Sequence, residues 1–136
     1  MPDPIRLLCV DDEINILHVI KRQLVDEALE IHCARTADEG LRLLRQLGVV
    51  QVVVSDYRMP GMNGIEFFRQ AHRICPSAVC ILLSGFADIP AVQQSLTSSH
   101  LFRCLRKPWQ AGELRQVIRA AVAASWQTPV SDGDSL

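Results

Sequence analysis

Leu7-Leu8-Cys9-Val10-Asp11-Asp12-Glu13 sets four apolar residues directly before three acidic ones. A short apolar run free of polar residues is what a strand covered on both faces needs, and burial on both faces is the habit of parallel sheets. The charge that follows must lie where the chain leaves the core. Two later stretches repeat the pattern: Val52-Val53-Val54-Ser55-Asp56 and Val79-Cys80-Ile81-Leu82-Leu83-Ser84 each end an apolar run on polar residues. Predicted strands fall at residues 5–10, 31–34, 50–55, 79–83 and 101–105,.

Between these runs the apolar spacing becomes helical. Ile14, Leu17, Ile20 and Leu24 form one stripe, and Leu114, Val117, Ala121 and Val122 another,. Two more helices are predicted at 37–47 and 64–74, and a fifth at 88–98 has the thinnest stripe, Val92 and Leu96 among Gln93, Gln94 and Ser95. Strands alternating with helices imply right-handed crossovers and a parallel sheet with helices on both faces. The second run (Glu30-Ile31-His32-Cys33) and the fifth (Phe102-Arg103-Cys104-Leu105-Arg106) carry polar residues, as edge strands should. The prediction is a single α/β domain, a doubly wound flavodoxin-like (βα)5 sheet in the order 2-1-3-4-5.

The chain has 136 residues, 49% apolar and 21% charged, enough for one real core,. The expected domain spans residues 1–125, with 126–136 a flexible tail or the start of a linker, because the end is rich in Ser, Asp and Gly,. No apolar stretch reaches the length of a membrane span and the N-terminus has no leader pattern, so a cytoplasmic location is expected. A formal charge of -1 offers no basic field for nucleic acid,. The five cysteines follow no metal or redox spacing, and Cys9, Cys33, Cys80 and Cys104 read as reduced core residues,. The histidines, His18, His32, His72 and His100, are likewise scattered.

In an open parallel sheet the ligand site lies beyond the carboxyl ends of the strands, where strand order reverses. Asp11, Asp12 and Glu13 follow strand one, Asp56 ends strand three, Ser84 ends strand four and strand five runs into Lys107-Pro108. Taken singly, each has an ordinary structural use: an acidic cap, a turn residue, a strand exit, a solvated lysine. Together they load one rim with like charge, which repels unless a cation and the lysine compensate. An all-oxygen acidic cluster suits Mg²⁺, and a carboxylate there can act as a nucleophile in phosphoryl transfer. Lysine and serine can then steady the transferring group, whose donor must come from outside.

These segments resemble the signature segments of response regulator receiver domains: the acids after Val10, the block Ser55-Asp56-Tyr57-Arg58-Met59-Pro60-Gly61-Met62-Asn63-Gly64, Ser84-Gly85 and Lys107-Pro108. The resemblance covers about residues 5–125. It implies a regulatory domain of a two-component system rather than an enzyme with turnover, beyond its own phosphoryl transfer and slow autodephosphorylation. Asp56 would be the phosphoacceptor, served by a sensor histidine kinase. Asp12, Asp56 and the backbone carbonyl of Arg58 would hold Mg²⁺, with Asp11 acting through a metal-bound water. Ser84 and Lys107 would engage the phosphoryl group. The surface of the fourth helix, fifth strand and fifth helix would change and act on an output domain or partner, or pair with a second copy. Pro60 and Gly64 fit the loop and helix start after the acceptor.

One position departs from the family pattern. Three residues before the lysine such domains usually carry Tyr or Phe, and this chain has Cys104, with Phe102 two residues earlier on the same strand face,. Trp109 resembles a subgroup with a Lys-Pro-Trp ending. Its plain reading is a packing anchor for the last helix, while its place beside Lys107 predicts fluorescence that responds to the rim. Of other readings, a flavin carrier is disfavoured because Asp11, Asp12 and Glu13 would repel its phosphate. A haloacid-dehalogenase-like phosphatase would carry its nucleophile on strand one. The alternative is a receiver-like interaction module that works without phosphorylation; such modules tend to lose acidic or lysine positions, all present here.

Overall fold

A computed structural model describes residues 4–95 and 101–127. Five strands and five helices alternate: β1 (Arg6–Val10), α1 (Ile14–Gln23), β2 (Glu30–Ala34), α2 (Ala37–Leu47), β3 (Val52–Asp56), α3 (Gly64–Ile74), β4 (Val79–Ser84), α4 (Ile89–Ser95), β5 (Leu101–Arg106) and α5 (Ala111–Gln127). All strand pairs are parallel and the order is β2-β1-β3-β4-β5, as the apolar and polar runs predict.

Alternation along each strand divides the core into two layers. Leu8, Val10, Val53 and Leu82 face α2 and α3, where they meet Leu44, Phe67 and Phe68. Cys9, Val54, Ile81 and Leu83 face the other way, onto Leu17 and Ile20 of α1 and Leu114 and Ile118 of α5. Every residue of β3 and β4 is buried, which is why those runs hold so little polarity,.

The helices begin in different ways. Thr36 caps α2 by accepting from the Glu39 N–H at 3.1 Å,. Asn63 and Glu66 cap α3 reciprocally, each side chain accepting from the other's backbone N–H,. Glu13 stands at the start of α1 and makes no side-chain capping bond. Of the acids after β1, Asp11 instead accepts from the Glu13 backbone N–H at 2.9 Å.

Several expectations change in detail. The fifth predicted helix opens as a 3-10 turn at Phe86–Asp88 and continues as α4 to Ser95; residues 96–98 lie outside the described residues. Helix α5 continues to Gln127, past the boundary expected at residue 125, and residues 128–136 also lie outside. Cys104, expected in the core, is exposed, because β5 is an edge strand; Cys9, Cys75 and Cys80 are buried, and all five thiols are free. Among the described residues no helix is long and apolar enough to cross a membrane.

Candidate functional site

β1 and β3 are neighbours in unbroken register, with Val10 opposite Ser55. The next residues, Asp11 and Asp56, therefore emerge side by side. From there the chain enters α1 on one face of the sheet and α3 on the other, which opens a crevice at this rim,. Asp11, Asp12 and Asp56 each offer an oxygen, and these oxygens lie within 4.8 Å of one another. Asp11 and Asp56 are buried and Asp12 is exposed.

Lys107 arrives from the far side of β4. Its backbone N–H donates to the Ser84 carbonyl at 2.9 Å, fixing the end of β5 beside β4. Its Nζ lies 3.1 Å from Asp56 Oδ1 and 3.4 Å from Asp11 Oδ2. The four charged groups predicted for the rim, Asp11, Asp12, Asp56 and Lys107, are thus brought together.

The charges do not balance. Burial pushes the Asp11 carboxyl up to about 6, against the restraining bond from the Glu13 N–H; the charge of Asp56 adds to the rise and Lys107 opposes it,. Burial also raises Asp56, Asp12 adds to the rise, and Lys107 opposes it. Burial alone would lower Lys107, but Asp11 and Asp56 outweigh it and raise the ammonium above its usual range. One lysine cannot neutralise three carboxylates at this spacing,. Hard oxygen donors in surplus fit a small divalent cation such as Mg²⁺.

A cleft of ≈ 490 Å³ opens beside the cluster, lined by Asp12, Tyr57, Arg58, Met59, Pro60 and Asn63. The Arg58 guanidinium lies on its outer side, with Nε 2.6 Å from Asp88 Oδ1. Asp88 is buried, so this bond ties the β3–α3 loop to the β4–α4 connection. Nothing in the spacing of Arg58 and Asp88 signals that pairing. Gly64 begins α3 against the strand end: a Cβ there would lie 2.5 Å from the Asp56 carbonyl oxygen and 2.7 Å from Leu82 Cδ1. Ser55, absent from the predicted site, donates through Oγ to the same carbonyl at 2.9 Å.

Ser84 is fully buried, and its Oγ lies 3.1 Å from Cys104 Sγ. Trp109 packs against the α1/α5 layer, and its indole N–H donates to Gln23 Oε1 at 2.7 Å. Gln23 is the last residue of α1, at the end remote from Asp12. The indole N–H therefore turns along α1, while the ring shares a pocket with Lys107, Pro108, Ile16 and Val19, in keeping with a packing role. The side chain of Phe102 lies outside the described residues.

A doubly wound parallel sheet, with clustered carboxylates and a lysine at its switch point, defines a class of small α/β signalling domains. The chain belongs to the response regulator receiver domain family, whose model matches residues 7–119. The hydrogenase transcriptional regulatory protein HoxA of Cupriavidus necator is 32% identical over 118 residues, covering 87% of this chain and 24% of that protein. A receiver domain protein from Clostridium thermocellum superposes with a TM-score of 0.82 at 30% identity, over 90% of this chain and 98% of the other. The signal receiver domain of an HD domain-containing protein from Pseudomonas fluorescens has a TM-score of 0.85 at 28% identity and 93% coverage of each. The chain spans about a quarter of the length of the curated relatives it first matches. Domains of this family are the phosphorylation-dependent signalling switches of two-component systems.

Proposed function

We propose that Asp56 takes the phosphoryl group from a phosphohistidine of a sensor histidine kinase. A carboxylate oxygen of Asp56 forms the new bond to phosphorus while the P–N bond breaks, and the leaving imidazole nitrogen keeps the electron pair. The observation that carries this reading is Lys107 Nζ at 3.1 Å from Asp56 Oδ1, within a cluster of three carboxylates. Lys107 holds its proton and stands where negative charge accumulates,. Asp12, Asp56 and the Arg58 carbonyl would hold Mg²⁺, which when bound neutralises charge on the transferring group; Asp11 would contact it through water.

In this reading the phosphorylated domain alters its α4, β5 and α5 surface. That surface acts on an output domain or partner, or pairs with a second copy. Slow hydrolysis of the acyl phosphate would reset it. The assignment carries a cytoplasmic location and no direct nucleic-acid contact, in keeping with a formal charge of -1,. An interaction module indifferent to phosphate has no observation in its favour, since the acidic cluster and its lysine are all in place.

Incubation with a small acyl phosphate and Mg²⁺ should add one phosphoryl mass to the intact chain, and Asp56→Asn should remove it. Undiminished labelling of that variant would sink the assignment.

A further inference from the structure

Ser84 stands between two possible partners. β4 lies between β3 and β5, so Asp56 and Cys104 are on opposite sides of the strand that ends in Ser84. The buried Ser84 hydroxyl meets Cys104 Sγ, and among the described residues it has no other side-chain hydrogen bond. A serine hydroxyl has one hydrogen to give. Either atom can be the donor in the contact with sulfur; with Ser84 donating, its hydrogen points to β5, and a turn toward β3 would take it to the side of the sheet that carries Asp56.

We propose that Cys104 is a positioning residue: its thiol holds the Ser84 hydroxyl toward β5 in the unphosphorylated domain, and phosphorylation of Asp56 draws that hydroxyl across to a phosphoryl oxygen. The proposal rests on Asp56 being the phosphoacceptor. Sulfur is a weak hydrogen-bond partner, so the hold is light and the phosphoryl group, a charged acceptor, wins the hydroxyl. The exchange leaves Cys104 without its buried partner on an exposed edge strand. The message therefore passes to β5 as a released bond, with no aromatic ring needed at this position.

Beryllofluoride with Mg²⁺, used as the phosphoryl probe, tests this. Cys104→Ala should bind it about three- to tenfold more tightly, the range expected when one competing hydrogen bond is removed. Cys104→Val, which keeps bulk without the bond, should tighten binding similarly. In a Ser84→Ala background neither substitution should alter affinity more than about twofold, since the shared partner is gone. In the unsubstituted chain, alkylation of Cys104, resolved by peptide mass spectrometry, should speed up when the probe binds and stay constant in Ser84→Ala. Wild-type affinity in Cys104→Val would mean that only shape matters at residue 104, and would overturn the exchange. An alkylation rate blind to the probe would overturn it as well, without any variant having to fold. Failure of the unsubstituted chain to bind the probe would overturn the phosphoacceptor reading along with it, whereas binding indifferent to residue 104 would overturn the exchange alone.

Discussion

The half of the sheet that gathers charge and the half that would respond to it are held in different ways. On the β1–β3 side the register is unbroken, α2 and α3 are both capped by side chains, and Phe67 and Phe68 pack with ring centroids 5.9 Å apart beneath them. On the β4–β5 side the register shifts between Cys80 and Ile81. Among the described residues the connection between β4 and α4 is tied by the side-chain bond from Arg58 to Asp88, and Ser84 meets Cys104 between the adjacent strands β4 and β5. Packing and backbone pairing fix a mutually repelling cluster against its own charge. Bonds worth about 1 kcal/mol each are better suited to a segment that must change partners.

The largest expected effect tests that contrast directly. Phe67→Ala should cost about 3–5 kcal/mol of unfolding free energy, the usual range for emptying a large core site. Val92→Ala, at a buried position of α4, should cost roughly 1–2 kcal/mol, in proportion to the smaller area lost,. Denaturant titration of both variants decides it. Equal losses would mean that α4 is as firmly packed as α3, and the contrast would fail.

A smaller effect concerns the charge on the first half. The Asp11 carboxyl stands at about 6 in the folded chain against an ordinary 3.8, so the folded state holds this proton more tightly than the unfolded chain does. Its contribution to stability is therefore greatest at low pH. It declines as pH rises from about 4 through about 6, and stays reduced above,. Asp56, raised for the same reason, acts in the same direction. Asp11→Asn should thus gain stability over the unsubstituted chain across that window, on the order of 1 kcal/mol after discounting for water at the open rim. Mg²⁺ should narrow the gap by stabilising the unsubstituted chain. Melting curves at several pH values would show it, and a pH-independent difference between the two proteins would contradict it.

The smallest effect is optical. With Trp126→Phe removing the exposed indole, Trp109 emission should change little on adding Mg²⁺ and beryllofluoride, because its N–H is held by Gln23 at the remote end of α1. A large response abolished by Asp12→Ala would show that Trp109 reads the acidic rim after all.

Fold and site were legible in the sequence to different depths. Strand order followed from which runs tolerate polarity: Glu30 and His32 mark β2 as an edge, and the all-buried β3 and β4 have no such residues in their interiors. The acidic cluster followed from strand ends, because in a parallel sheet every strand delivers its last residue to the same rim. Pairings made across unrelated loops were not legible. Arg58 reaches Asp88, Ser84 meets Cys104 and Trp109 meets Gln23 through three-dimensional proximity that no local spacing encodes. The exposure of Cys104 escaped for a different reason: the run is legible as an edge strand, but a cysteine in a strand reads as core by its residue type, not by the face it occupies.

Gly64 carries no charge, no proton and no ligand, yet the room above its α-carbon decides how close α3 can come to the acceptor strand. With the Asp56 carbonyl 2.5 Å from where a Cβ would stand, any side chain there must push the helix or the strand aside. A census of tolerated substitutions would thus mark two intolerant positions for unrelated reasons, Asp56 for what it does and Gly64 for the space it leaves. Among diverging copies of this domain, loss of the acid would silence the chemistry and spare the fold, whereas loss of the glycine would distort the chemistry through the fold.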